Sequence, residues 1–159
     1  MRNANDYYPT PAWCFEKLNL DFSKYKTALE PCAGDGRIVT FLEQKGIETD
    51  YCEINEGIDF LTHPINKVDL VLTNPPFSLA MEFIEKSMEH ADTVIMLLRI
   101  NFLGSQKRNP WWLQHKPKKL IVLSKRPSFT GAGTDSTEYA WFIGEKNTNY
   151  IEPGIDFIL

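Results

Sequence analysis

Between Thr27 and Gly144 short β-rich apolar runs alternate with helical patterns, and this alternation constrains the fold more than any other feature. Thr27–Glu30 reads as a strand, closed by a glycine-containing turn. Arg37–Lys45 then carries Ile38, Val39 and Leu42 at helical spacing, with Gly46 placed to end the helix. Glu48–Glu53 reads as a second strand and Val68–Thr73 as a third. Ser78–His90 sets Ala80, Phe83, Ile84, Ser87 and Met88 on one helical face, with Ser78 as a candidate cap. Thr93–Ile100 is almost continuously apolar, the pattern of a strand covered on both faces. Helix or loop fills Gly104–His115. Leu120–Ser124 and Glu138–Gly144 read as strands joined by a Gly-, Ser- and Thr-rich loop with no helix, which predicts an antiparallel closing pair. The whole predicts one α/β domain over residues 1–159: a mostly parallel sheet, helices on both faces and a C-terminal hairpin. Ligands of such sheets sit beyond the carboxyl ends of the strands, at the topological switch point. The residues that end each strand are therefore the candidates for chemistry.

Composition bounds the partners. At 43% apolar and 24% charged, the chain is neither disordered nor low-complexity. No apolar run reaches the roughly 18–20 residues of a membrane span. Met1–Asp6 has no apolar core behind its charge and does not read as a signal peptide. Cys14, Cys32 and Cys52 are odd in number and form no Cys-x-x-Cys pair, which predicts reduced thiols and a cytoplasmic setting. His63, His90 and His115 lack ligand spacing, so no metal site is expected. The net charge of −4, taken alone, disfavours a polyanion. Its distribution does the reverse. No acid lies between Thr93 and Thr134, whereas Arg99, Lys107, Arg108, Lys116, Lys118, Lys119, Lys125 and Arg126 all do. One basic face and one acidic pocket are expected.

The first strand ends in Glu30-Pro31-Cys32-Ala33-Gly34-Asp35-Gly36. Gly34 and Gly36 permit a tight turn and a close approach of ligand to backbone. Gly-x-Gly alone occurs in many turns, and the third glycine of a dinucleotide fingerprint is missing, Val39 standing in its place. Charge discriminates better. A pyrophosphate favours a helix N-terminus free of carboxylates, but Glu30 and Asp35 flank this turn. They suit a ligand carrying a sulfonium and an ammonium, as S-adenosylmethionine does. Glu53, ending the second strand, is placed to accept ribose hydroxyls, and Asp59-Phe60 is placed to meet an adenine edge.

The third strand runs into Asn74-Pro75-Pro76-Phe77. Two prolines in series pin φ and hold the preceding residue extended. The Asn74 carboxamide and the Pro75 carbonyl can then act as two rigid acceptors for one amino group. Their hydrogen bonds draw its nitrogen toward sp³ and free its lone pair. Phe77 offers a face on which a planar base or amide stacks.

These residues resemble the catalytic motif of amino-methyltransferases, which act on adenine N6 in DNA or RNA and on glutamine N5 in protein. Glu30–Gly36 resembles their cofactor motif, Cys52-Glu53-Ile54 their acidic second-strand end, and Asp59-Phe60 the segment that reads the cofactor adenine. Tyr8-Pro9-Thr10-Pro11 is similar to the segment that closes over the methionine end in many DNA adenine enzymes. Phe102–Arg108, Arg126–Gly131 and Glu138–Phe142 resemble small bacteriophage-type DNA adenine-N6 methyltransferases. The resemblance covers about residues 7–144 and implies a Rossmann-like class I methyltransferase fold, S-adenosylmethionine as cofactor and DNA as substrate, with RNA possible. It implies Asn74, Pro75, Pro76 and Phe77 as catalytic residues. For the cofactor it implies Tyr8, Thr10, Pro11, Glu30, Pro31, Ala33, Gly34, Gly36, Glu53, Ile54, Asp59, Phe60 and Asn74. Lys107, Arg108, Lys118, Lys119 and Arg126 are candidates for phosphate contacts beside the pocket, and Phe129 for the second face of a flipped base. One tryptophan of Trp111-Trp112 is expected in the core, leaving the other for a nucleic-acid strand. No inserted target-recognition domain is present; only the Arg126–Thr137 loop stands beside the site. A protein glutamine substrate and a catalytically silent nucleic-acid-binding module are the alternatives.

Overall fold

A computed structural model describes residues 8–146 and 154–158, so Met1–Asp6 lies outside the described residues. Seven strands form one sheet in the order β2-β1-β3-β4-β6-β5-β7. They are β1 (Thr27–Glu30), β2 (Glu48–Tyr51), β3 (Val68–Thr73), β4 (Ala91–Arg99), β5 (Lys119–Leu123), β6 (Tyr139–Glu145) and β7 (Gly154–Ile158). The first four run parallel; β6 lies antiparallel between β4 and β5. The chain moves outward from β1 to β2, then returns to place β3 on the other side of β1. That reversal is the switch point, with Glu30 and Asn74 at the carboxyl ends of its two strands.

Period-two alternation along the strands feeds two cores. On one face Leu70, Leu72, Ile95, Leu97 and Trp141 pack with Phe15 of α1 (Trp13–Glu16) and with Ile38, Phe41 and Leu42 of α2 (Arg37–Gln44). On the other, Val71, Val94, Met96 and Phe142 meet Phe83 and Ile84 of α3 (Ala80–His90) and Trp112 of α4 (Asn109–Gln114). Trp141 is fully buried and its indole N–H donates to the Cys14 carbonyl at 2.7 Å, fastening α1 to the sheet. Truncating it to alanine would cost about 3–5 kcal/mol.

Several sequence expectations are corrected. The second strand stops at Tyr51, and Glu53 instead caps a 3-10 turn over Ile54–Glu56. Ser78 does not cap α3: Phe77–Leu79 forms a 3-10 turn with the Leu79 amide on the Pro76 carbonyl at 3.0 Å, and α3 starts at Ala80. The closing pair is antiparallel as expected, but β7 adds a seventh strand parallel to β5. Its Ile155 and Phe157 are exposed, so it carries no burial pattern that marks a strand. No described helix is long and apolar enough to cross a membrane. Among the described residues no three His, Cys, Asp or Glu side chains are grouped to hold a metal ion.

Candidate active site

The turn after β1 is built on its own backbone and on two acids. Gly34 and Gly36 have φ of 58° and 82°, the left-handed region that any side chain would strain. A Cβ on Gly36 would meet nothing within 4 Å, so the requirement is conformational. The Ala33 amide donates to the Cys52 carbonyl at 3.0 Å, tying the turn to the end of β2. Glu53, 5% exposed, accepts from the Gly34 amide at 2.7 Å and the Asn55 amide at 2.9 Å. Of the roughly four acceptor positions of a carboxylate, two remain. Glu30, 1% exposed, accepts from the Cys32 amide at 3.0 Å and from the Thr73 hydroxyl. Burial pushes its carboxyl up to about 8 and the Glu53 charge adds to this, against the Thr73 and Cys32 hydrogen bonds. The Glu53 carboxylate facing this glycine turn fits a cationic ligand and opposes a pyrophosphate, while the Glu30 carboxyl beside it holds its proton at neutral pH until a cationic ligand favours its release.

Other predicted members are distributed differently. Asp35 is engaged by the Arg37 guanidinium, which holds its carboxyl below the usual range, so it is not a free anion for the ligand. Ile54 is exposed beside Glu53. The Ile58 amide donates to the Glu53 carbonyl at 3.1 Å, closing the segment that leads to Asp59. Asp59 accepts from the Leu61 amide at 3.0 Å. Phe60 is a core residue, packed on Phe83 at 4.9 Å between centroids. The Pro31 side chain is buried, and Pro11 precedes the Ala12 N-cap of α1, its carbonyl accepting from the Cys14 amide at 2.9 Å.

At the end of β3, Pro75 and Pro76 are buried and Asn74 is half-buried. The Asn74 side-chain N–H donates to the Thr10 hydroxyl at 3.0 Å. Its Oδ1 is buried and has no hydrogen-bond partner. A cavity of about 30 Å³ beside it is lined by Tyr8, Asn74, Pro75, Pro76, Phe77 and Phe129. Tyr8 therefore lies at this slot, with Phe129 at 6.5 Å. Thr10 links both strand ends: its hydroxyl holds Asn74 while its carbonyl accepts from Arg37 at 3.0 Å. Cys32 adds a second link, its thiol lying 3.1 Å from the Thr73 hydroxyl and donating to the Asn74 carbonyl at 3.4 Å. The glycine turn and the Asn-Pro-Pro-Phe segment thus share one region.

Neither a family profile nor a curated protein sequence matches the chain. Solved structures do match. A candidate class I S-adenosylmethionine-dependent methyltransferase of Listeria monocytogenes superposes with TM-score 0.62 at 14% identity, over 84% of this chain and 58% of that one. A candidate RNA methyltransferase of Pyrococcus horikoshii superposes with TM-score 0.62 at 16% identity, over 91% and 92%. The fold is that of class I methyltransferases. A dimethyladenosine transferase of Plasmodium falciparum gives TM-score 0.55 at 16% identity, over 77% of this chain and 56% of that one. The chain thus spans less than two thirds of the Listeria and Plasmodium proteins and nearly all of the Pyrococcus one.

On this methyltransferase fold the basic residues divide between the two ends of the sheet. Lys107 and Arg108 follow the carboxyl end of β4, and Arg126 follows that of β5, the end where Asn74 lies. Arg108 is partly committed, donating to the Phe102 carbonyl at 2.9 Å and stacking on its ring at 4.4 Å. Arg126 pairs with Glu138, its Nε at 2.9 Å. Lys118 and Lys119 stand elsewhere. Lys118 precedes β5 and pairs at 2.7 Å with Glu145, which also faces Lys24 ahead of β1; this is the amino end of the strands. Lys119 pairs with Asp156 of β7 at 3.6 Å. The structure does not bring these two lysines to the slot, because a β5 parallel to β4 starts at the far end. Both tryptophans of α4 are anchored: Trp111 donates to Glu85 at 2.7 Å and Trp112 to the Phe102 carbonyl at 3.1 Å. The sequence reading missed Arg99 and Tyr139, which adjoin Phe77 and, for Tyr139, Phe129, and Asp135, which bonds to both Arg99 and Tyr139. Arg99 ends β4, so the strand-end rule could have found it.

Proposed function

We propose that the protein transfers a methyl group from S-adenosylmethionine to the exocyclic N6 amino group of adenine in DNA. One observation carries the reading: Asn74 Oδ1 is buried, bondless and set on a proline-fixed turn at a slot walled by two phenylalanines. A buried acceptor without a donor is costly, and an amino group entering the slot would satisfy it.

The cofactor supplies a methyl group on a sulfonium, activated for transfer. Gly34, Gly36, Glu30, Glu53, Ile54 and Asp59 would hold it, the acids meeting its positive charge and its hydroxyls. Asn74 Oδ1 and the Pro75 carbonyl accept the two amino hydrogens, which withdraws the nitrogen lone pair from the ring. Phe77 stacks on the base, an interaction worth about 1–3 kcal/mol. This offsets part of the few kcal/mol needed to take a base out of a duplex. Holding the acceptor in line is the main contribution of the chain. No general base is needed, since an amine becomes acidic once alkylated and its proton passes to water.

Lys107, Arg108 and Arg126, from an acid-free stretch, favour a polynucleotide over a protein glutamine. The Pyrococcus and Plasmodium neighbours, described as acting on RNA and on adenosine, give a second reading: the same transfer to RNA adenine. Reduced thiols at Cys14, Cys32 and Cys52 accord with the cytoplasm. The test is to incubate purified protein with methyl-labelled cofactor and, separately, DNA, RNA and a glutamine-containing protein extract. Label on DNA N6-methyladenine supports the first reading, and label on RNA adenine alone the second. Tight cofactor binding with no label anywhere would contradict both and favour the silent module.

A further inference from the structure

The acceptor slot is too small for its acceptor. At about 30 Å³ it holds one or two waters and no purine. Phe77 cannot yield easily, because it follows two buried prolines of fixed φ. Phe129 can, because it rides on the Arg126–Thr137 loop. That loop is held shut through Asp135, whose amide donates to the Pro127 carbonyl at 2.9 Å. The Asp135 carboxylate accepts from the Tyr139 hydroxyl and the Ser136 amide and pairs with Arg99 at 3.6 Å. Arg99 touches one wall of the slot and the support of the other: its guanidinium lies 4.8 Å from the Phe77 ring centroid and its Nε donates to the Tyr139 hydroxyl at 3.2 Å. Tyr139 in turn carries Phe129, 5.2 Å between ring centroids. Yet the Arg99 side chain is 43% exposed and can be reached from solvent.

We infer that Arg99 sets substrate class by exchanging Asp135 for a phosphate of the incoming polynucleotide, which frees the loop and admits the base between Phe77 and Phe129. The inference rests on the methyl-transfer reading above. The Arg99 end of the pair is open to solvent and the separation is a long 3.6 Å, so the pair is weak, and a phosphate offers the same planar fork more acceptor oxygens. A free nucleoside or a glutamine side chain brings no such group and leaves the latch shut. The device ties entry of the base to the presence of its backbone.

The test compares the full-length protein with Asp135→Asn and Arg99→Gln. The substrates are free deoxyadenosine and adenosine, and randomised 20-mers of DNA and of RNA, with methyl-labelled cofactor. Asp135→Asn opens the latch without phosphate, so its kcat/KM on the nucleoside should rise about tenfold against the 20-mer. Arg99→Gln should raise KM for the 20-mer about tenfold with kcat within about threefold. It should also lower the slope of log affinity against log salt by about one, as expected for one lost phosphate contact. A purely structural role for Arg99 would not move that slope. An unchanged nucleoside-to-polymer ratio in Asp135→Asn, or an unchanged slope in Arg99→Gln, overturns the inference while leaving methyl transfer standing. Asp135→Asn keeps the side-chain shape and decides alone should Arg99→Gln fail to fold. Wild-type protein that labels no polynucleotide would overturn the function and this inference together.

Discussion

The carboxamide of Asn74 is held by Thr10: its N–H donates to the Thr10 hydroxyl at 3.0 Å, while its buried carbonyl oxygen has no partner. The two residues are 64 positions apart in the chain. Fixing the nitrogen end leaves the oxygen end to meet a substrate, so Thr10 acts as a positioning residue for Asn74. Thr10→Val keeps the shape and removes the hydrogen bond. It should lower kcat about tenfold, the worth of one hydrogen bond of ordinary strength. Thr10→Ser should restore the rate. Single-turnover methyl transfer checks both; an unaltered rate in the valine variant would remove Thr10 from this role.

Glu53 joins the end of β2 to the glycine turn through the Gly34 and Asn55 amides. Glu53→Ala should weaken cofactor binding and also destabilise the fold by about 0.5–2 kcal/mol, the usual cost of losing a cap. Calorimetric titration and thermal melting read the two effects separately. Lost stability with an unchanged dissociation constant would make Glu53 a structural cap only.

Glu30 makes stability fall with pH. Its folded carboxyl titrates at about 8 against an ordinary 4.5. The folded protein therefore keeps a proton that the unfolded chain releases. The stabilisation is complete below about pH 4.5 and is lost progressively as pH rises to about 8. Glu30→Gln should abolish this decline and flatten the melting temperature between those limits, while weakening cofactor affinity. Melts of both proteins without cofactor, across that range, provide the check; parallel profiles would contradict the assignment.

The fold was largely legible in the sequence because strands covered on both faces leave long apolar runs, as at Val68–Thr73 and Thr93–Ile100. The strand-end rule then singled out Glu30 and Asn74, which stand at the ends of β1 and β3, and Glu53, which lies two residues past the end of β2. Other features depend on contacts that local pattern does not encode. Phe60 and Ile54 look equally apolar in sequence, yet Phe60 packs on Phe83 and Ile54 is exposed at the turn. Asp35 reads as a free acid until Arg37 turns back on it. The insertion of β6 between β4 and β5 is a matter of topology, and it sends Lys118 to the far end of the sheet from Asn74. Burial of Glu30 likewise needs the neighbouring strand.

The division of basic residues between the two sheet ends predicts a corresponding division in nucleic-acid binding. Lys118→Ala and Lys119→Ala should leave affinity and its salt slope unchanged, since both side chains pair with Glu145 and Asp156 away from the slot. Lys107→Ala, past the carboxyl end of β4, should lower the slope by about one. Fluorescence anisotropy against salt measures each. A lower slope in the Lys118 or Lys119 variant would move the binding face to the amino end of the strands.

The most direct test of the account is the modification state of adenine in cells expressing the protein, beside cells expressing Asn74→Ala. Methylation-sensitive sequencing of their DNA should find N6-methyladenine with the wild-type chain. The variant should show none above background, with a rate loss of more than about 100-fold expected for removing a transition-state hydrogen bond, and its purified form should bind cofactor as before. Equal methylation in both cell lines would contradict the role given to the Asn74 carbonyl oxygen.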